Sequence, residues 1–376
     1  MVRIVIAPDS FKGSLTAAEV CAAVEAGVKR AAPNAATVAV PMADGGEGTL
    51  DCFLRGAGWR EVRMTAADPL GRPVAARYAL SADGRSAVVE LASASGLPLL
   101  APGELDPLRA DTYGTGELIA DAVRRGARDV LVCIGGSAGN DGGTGLLRAL
   151  GVRFTDASGA DLPPGGAALA RLAAIDDSGL AEEVRAARFR VACDVTNPLV
   201  GPRGAAAVFG PQKGATPAQA AELDAALTRF ADVLAERTGR RVHDLPGAGA
   251  AGGTCGGLVG VLDAEPARGA ELVADLMGLP AALDGADLVI TGEGRLDGQS
   301  AGGKVVSSVA GLAARHGVPV VALAGSVAGP LDELRALGLT AAFSLADGPR
   351  TLAELTEGAG ALLTALAEEV VRLRLA

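Results

Sequence analysis

Lysine is nearly absent from this 376-residue chain. Of 34 basic residues only four are lysine: Lys12, Lys29, Lys213 and Lys304. Histidine is rarer still, with His243 and His316 alone, and neither stands in a glycine-rich region. That scarcity argues against a zinc site and against a Ser-His-Asp triad as the source of activity. Aromatic residues make up 3% of the chain, so a hydrophobic fraction of 49% must build its core from Ala, Val and Leu. The five cysteines include no CxxC pair, and their number is odd. Free thiols in a reducing cytoplasm are the expectation. No apolar run approaches the ~20 residues of a membrane span. The opening apolar stretch stops at Pro8-Asp9, so no signal peptide is expected.

Basic residues fall short of acidic ones, 34 against 44, and the net charge of −10 argues against nucleic acid and anionic membrane surfaces as partners. An acidic chain that holds an anionic ligand needs local cations. Three of the four lysines touch a glycine, in Lys12-Gly13, Lys213-Gly214 and Gly303-Lys304. Lysine is a compact point charge that fits beside a phosphate among backbone N–H groups, whereas arginine presents a broad fork. The pattern therefore points to a phosphorylated ligand, with Mg²⁺ supplying further positive charge.

At this length two domains are expected. Arg3 to Ala7 reads as a buried strand, and Thr16 with Glu19 forms a capping box that opens a helix to about Ala31. Thr37 to Val40 is a second strand, and the alternation implies a parallel α/β sheet. Between Val62 and Leu91 three strand-like runs follow one another without helices, which implies antiparallel hairpins in a different domain. The α/β alternation returns with strands at Asp287–Thr291, Val318–Leu323 and Ala341–Leu345, and helices at Gly303–Arg315 and Thr351–Leu373. The expected fold is a doubly wound, Rossmann-like parallel-sheet domain made from residues 1–61 and 285–376. A mixed α/β domain, 62–284, is inserted into it, and the active site is expected in the cleft between the two.

In open α/β sheets ligands bind beyond the carboxyl ends of strands. Five glycine-rich, acid-bearing segments stand there: Asp9–Ser14, Asp44–Thr49, Gly135–Gly145, Asp194–Asn197 and Gly292–Gly298. Glycines let backbone N–H groups approach phosphate oxygens, while the acids hold Mg²⁺ or accept a hydroxyl proton. Any single segment of this kind is equally well a turn; five together are not. Two nearby motifs fail. Gly298 to Val305 fits GxxxxGK, but Val305 replaces the Ser/Thr that would reach Mg²⁺. Gly247 to Gly252 fits GxGxxG, but Asp244-Leu245-Pro246 precedes it instead of an apolar strand. A close-packed helix entry or a mobile hinge is the expectation there. Arg72 is expected to face water in a hairpin.

With these loops assembled, the chain resembles the bacterial glycerate kinase family of the type forming 2-phosphoglycerate. The resemblance rests on Ala7-Pro8-Asp9-Ser10-Phe11-Lys12, Ala43-Asp44-Gly45-Gly46-Glu47-Gly48-Thr49, Tyr113-Gly114-Thr115-Gly116-Glu117 and Ile134-Gly135-Gly136-Ser137. It continues through Asn140-Asp141-Gly142-Gly143, Cys193-Asp194-Val195-Thr196-Asn197-Pro198, Phe209-Gly210-Pro211-Gln212-Lys213-Gly214 and Thr291-Gly292-Glu293-Gly294-Arg295. The motifs span nearly the whole chain. Gly139 stands where the family usually has Thr, and Val306 where it often has Pro. The resemblance implies ATP-dependent phosphorylation of D-glycerate with Mg²⁺ on a two-domain α/β fold.

Roles follow from the needs of phosphoryl transfer, which are positioning and charge neutralisation. Lys12 and Lys304 are the candidate phosphate cations, and Arg295 serves the transferring group or the glycerate carboxylate. Asp194 is the first candidate for the base, with Asp44 and Asp297 as rivals. Glu293, Asp297 and the carboxylates not serving as base are candidates for Mg²⁺. Gly135, Gly136 and Ser137 would cradle phosphate, with Gly292 and Gly294 also near the nucleotide. Ser10, Asn140 and Asn197 are candidate substrate contacts. A kinase of another hydroxy acid, a non-catalytic sensor and a dehydrogenase are the competing readings. Monomer and homodimer are equally compatible with the sequence.

Overall fold

The computed structural model describes residues 2–46, 48–55, 58–302 and 304–375. Glu47, from the expected Asp44–Thr49 loop, and Gly303, where the Gly303–Arg315 helix was expected to start, lie outside the described residues. The chain divides into two compact units. Unit 1 comprises Met1–Asp44, Asp51–Ala57 and Arg268–Ala376; unit 2 comprises Gly45–Leu50 and Gly58–Ala267. The first strands are β1 (Arg3–Ile6), β2 (Ala36–Ala39), β3 (Trp59–Ala67), β4 (Pro73–Ser81) and β5 (Ser86–Glu90). Then come β6 (Asp129–Cys133), β7 (Arg153–Thr155), β8 (Ala174–Asp176), β9 (Arg188–Ala192) and β10 (Glu265–Ala267). The last are β11 (Leu288–Leu296), β12 (Val320–Val327) and β13 (Leu339–Ser344).

Unit 1 is the doubly wound domain. Its sheet runs β13-β12-β11-β1-β2 with every pairing parallel. Side chains alternate across it. Ile4, Ile6, Leu288, Ile290, Val321 and Leu323 pack against Val20, Val24 and Val28 of the Ala17–Ala31 helix and Leu363 and Val371 of the Leu352–Leu375 helix. The intervening Val5, Val289 and Val320 are equally buried, and the Val305–Arg315 helix packs on β11 and β12. The expected capping box is present: the Thr16 hydroxyl accepts from the Glu19 N–H, and the Glu19 carboxylate accepts from the Thr16 N–H at 2.8 Å. Residues 268–284 belong to this unit because Leu272 and Val273 of the Gly269–Leu276 helix are buried within it.

Gly27 sets the spacing of the first and last helices, since a Cβ there would overlap the Thr364 carbonyl oxygen. Gly27→Val is expected to destabilise unit 1 by about 2 kcal/mol, the usual cost of overpacking. Urea unfolding followed by circular dichroism measures it.

Unit 2 carries a six-stranded sheet, β10-β9-β6-β5-β4-β3. β3, β4 and β5 form the antiparallel meander expected from the three helix-free runs, and β5, β6, β9 and β10 are parallel. The small pair β7-β8 is separate. The Pro217–Thr238 helix opens on a second capping box, from Thr216 and Gln219.

One local expectation needs correction. Gly292 to Arg295, read as a loop, continues β11, in register with β12 as far as Leu296. The bare glycine permits it, because a Cβ at Gly292 would overlap the Leu323 carbonyl oxygen. Of the two readings given for Gly247–Gly252, the packed helix entry is the one present. A Cβ at Gly249 or Gly252 would overlap the Pro198 or Gly139 carbonyl oxygen, and the turn at Gly252 and Gly253 has φ of 66° and 89°. Arg72 is exposed at its hairpin, as expected, and its guanidinium also clasps Asp68 and Glu104, both at 2.6 Å. Among the described residues no helix is long and apolar enough to cross a membrane.

Candidate active site

From β1 the sheet of unit 1 extends outward to β2, and from β11 it extends the opposite way to β12 and β13. The carboxyl ends of β1 and β11 are therefore neighbours at the point where strand order reverses, the place where open α/β sheets bind ligands. Backbone hydrogen bonds hold the β1 exit along β11. The Ala7 N–H donates to the Ile290 carbonyl and the Asp9 N–H to the Gly292 carbonyl, each at 2.8 Å. The Thr291 hydroxyl donates to the Ala7 carbonyl at 2.8 Å. The exit from β2 is tied to the same place by the Met42 N–H, which donates to Pro8 at 2.9 Å. Residues distant in sequence are thus set side by side.

Within the first loop Phe11 is buried in the core, and its N–H donates to the Leu15 carbonyl at 2.8 Å. Gly13, with φ of 77°, closes the turn and leaves Lys12 exposed at its tip. The Ser10 N–H donates to Asp9 Oδ1 at 2.6 Å. On β11, Glu293 is 7% exposed, while Arg295 lies in the open and donates to Asp297 Oδ2 at 3.0 Å. Lys304 occupies the N-cap position of the Val305–Arg315 helix.

The electrostatics show that Asp9, Asp44 and Glu293 act on one another. Burial pushes the Asp9 carboxyl up to about 7, and repulsion from Asp44 and Glu293 adds to it, while the Ser10 N–H and Lys12 oppose the rise. Burial also raises Glu293, against the pull of Ser300 and Lys304; Asp297 and Asp44 raise it further. Oε1 of Glu293 is buried without a hydrogen-bond partner. Three carboxylates with two ammonium groups, one of their oxygens orphaned, form a site that seeks a cation. Among the described residues no group of three or more His, Cys, Asp or Glu could hold a metal. A Mg²⁺ ion keeps waters and substrate phosphates as ligands and takes only one or two carboxylates from the protein.

The remaining candidates belong to unit 2. Gly135 and Gly136 are exposed just beyond β6, and Gly136 turns with φ of 72°; Ser137 is buried beside them. Asn140 is fully buried, and neither its Oδ1 nor its Nδ2 has a hydrogen-bond partner. Its neighbour Asp141 is structural, accepting from the Thr112 N–H and hydroxyl and from the Gly143 and Gly145 N–H groups at 2.7–3.0 Å. Beyond β9, Asp194 is exposed and Asn197 donates to the Arg203 carbonyl at 2.8 Å. Lys213, singled out for its glycine neighbour, is 1% exposed and donates to the Gly139 carbonyl. Burial pushes its ammonium down to about 7. It pins a loop and is not available to solvent.

The glycerate kinase family model matches residues 4–375. The chain belongs to the glycerate kinase family. It is 44% identical to the glycerate kinase of Bacillus subtilis (strain 168) over 98% of this chain and 96% of that protein. It is also 44% identical to the glycerate 2-kinase of Escherichia coli (strain K12), over 95% of this chain and 94% of that one. A crystal structure described as glycerate kinase 2 from Salmonella typhimurium LT2 superposes with a TM-score of 0.91 and 45% identity, covering 99% of this chain and 98% of that one. The glycerate kinase resemblance drawn from the motifs is thereby established, and so is the α/β fold.

Sequence reasoning quoted Asp9 as part of a glycerate kinase motif but gave it no role. A usable signal was present: Asp9 follows β1 and stands three residues before Lys12. Its burial beside Asp44 and Glu293 was not readable from the chain.

Proposed function

We propose that this chain transfers the terminal phosphoryl group of ATP to the 2-hydroxyl of D-glycerate, giving 2-phosphoglycerate and ADP. The observation that carries this reading is the cluster of Asp9, Asp44, Glu293 and Lys12 at the switch point of unit 1, in a chain of the glycerate kinase family. Glu293 and Asp44 would hold Mg²⁺, with Asp297 as a further candidate; the orphaned Oε1 of Glu293 supports the first. When bound, the ion supplies positive charge to the phosphoryl oxygens. Lys12 and Lys304 neutralise phosphate charge, and Arg295 meets the transferring group or the substrate carboxylate.

Asp9 is our choice for the base. Its carboxyl titrates near neutrality, where a general base is most effective. It accepts the hydroxyl proton as the oxygen–phosphorus bond forms and the bond to ADP breaks. Asp194, first in the sequence reading, is the leading alternative, with Asp44 and Asp297 as rivals; near-wild-type turnover in Asp194→Asn would remove Asp194 as the base. Ser10, Asn140 and Asn197 are proposed substrate contacts, and Gly135, Gly136, Ser137, Gly292 and Gly294 are proposed to lie along the nucleotide. Free thiols at all five cysteines fit a cytoplasmic setting.

A coupled assay with ATP, Mg²⁺ and D-glycerate, the product identified by phosphorus NMR, tests the reaction. The 2-phosphate is the expected product. A panel of other hydroxy acids turned over faster than D-glycerate would overturn the substrate assignment.

A further inference from the structure

Two of the five cysteines meet in unit 2. Cys193 follows β9, half-buried, and its N–H donates to the Ala267 carbonyl at 2.9 Å. Its thiol lies against the turn that leads into the Thr254–Leu262 helix: Sγ is 3.4 Å from the Val195 carbonyl oxygen and 3.6 Å from that of Gly247. The turn leaves room for the sulfur, since a Cβ at Gly247 would stand only 3.0 Å from it. Cys255, in the first turn of that helix, is fully buried. The Gly256 N–H donates to the Ala248 carbonyl at 3.1 Å and fastens the helix start to the same turn. The two thiols are thereby brought into hydrogen-bonding contact with each other.

The pair is asymmetric. Cys255 donates to the Cys193 sulfur, which holds the Cys193 thiol below its ordinary range although burial and the Asp194 charge oppose this. Cys255 itself is pushed well above that range, by the same bond and then by burial. One sulfur thus has thiolate character and reaches solvent, while the other keeps its proton beside it. Oxidant-sensitive cysteines are of this kind: an accessible thiol of lowered pKa next to a second that resolves it. The other three differ. Cys21, Cys52 and Cys133 are all buried, the sulfurs of Cys21 and Cys52 donate to the carbonyls of Ile6 and Met42, and burial raises the Cys21 thiol to about 12.

We propose that Cys193 and Cys255 form a peroxide-responsive modification site, with Cys193 as the reacting thiol and Cys255 as its resolving partner. The Cys193 thiolate attacks one oxygen of hydrogen peroxide. The O–O bond breaks, the leaving hydroxide takes up the proton that Cys193 released, and Cys193 becomes the sulfenic acid. The Cys255 sulfur then attacks the Cys193 sulfur. The S–S bond forms, the S–O bond breaks, and the oxygen departs as water with the Cys255 proton. Two thiols lose two electrons, and one peroxide becomes two waters. A thiol reductant reverses the bridge by exchange. No part of the kinase reading is needed for this chemistry.

The test is treatment of the full chain with hydrogen peroxide, then alkylation of the remaining thiols in denaturant and peptide mass spectrometry. Two of the five free thiols should be lost, recovered as one Cys193–Cys255-linked peptide and restored by dithiothreitol. Cys193 should be consumed about tenfold faster than Cys21, Cys52 or Cys133. In Cys255→Ala the sulfenic acid has no partner, so dimedone should label Cys193 about tenfold more heavily than in the wild type. Cys193→Ser should leave Cys255 reduced under the same treatment. Circular dichroism checks the folding of both variants, and the wild-type peptide map decides the matter if either fails to fold. Five alkylatable thiols after a treatment that oxidises free glutathione would overturn the inference. So would a bridge from Cys193 to Cys133 in place of Cys255, or linkage between chains alone.

Discussion

Asp9→Asn is expected to lower kcat about a thousandfold while making the metal-free protein more stable at pH 8. The loss follows from removing both the proton acceptor and one charge of the acid cluster, and general-base contributions alone reach roughly 10²–10⁴-fold. The gain follows from linkage. The folded carboxyl titrates at about 7, against an ordinary value of 3.8. Between those values the folded state keeps a proton that the unfolded chain releases, so this group's contribution to stability falls as pH rises through that window. Above about 7 the full penalty of a buried, repelled carboxylate is in force. Asparagine keeps the shape and removes the charge. The expected rise in the thermal midpoint is about 1–4 °C, smaller at pH 4 than at pH 8. Calorimetric scans without metal at the two pH values, with steady-state kinetics, check both halves. Unchanged turnover would remove Asp9 from the reaction.

The second large effect belongs to Glu293. Glu293→Gln should reduce kcat by about 10²–10³-fold and raise the Mg²⁺ concentration needed for half-maximal rate, because the variant keeps the packing but loses the charge that faces the cation. Mg²⁺ dependence distinguishes this from a general disturbance, which would lower the rate equally at all concentrations of the ion. The wild-type requirement should itself rise as pH falls below about 7, since protons compete for carboxylates whose affinity for them burial has increased.

Much of the fold was legible because its signals are local. Thr16 and Glu19 announce a helix start wherever they occur, and the three helix-free runs between Val62 and Leu91 could not build a parallel unit. The loops Asp9–Ser14 and Asp44–Thr49 were found because strands, then glycines and acids, follow one another in sequence. What was missed depends on neighbours remote in the chain. Gly292 looks like a loop residue until β12 is beside it, and then its missing Cβ is what lets β11 continue. Lys213-Gly214 looks like a phosphate loop until the ammonium is seen buried on Gly139. Asp9 and Asp194 are both acids beyond strand ends, and only burial separates them.

Electron paramagnetic resonance of Mn²⁺ with ADP, in the wild type and in Glu293→Gln, bears most directly on the acid cluster as the seat of phosphoryl transfer. The wild-type protein should give a spectrum of protein-bound Mn²⁺–ADP that sharpens to the free complex in the variant. A variant that holds Mn²⁺–ADP as the wild type does would contradict it.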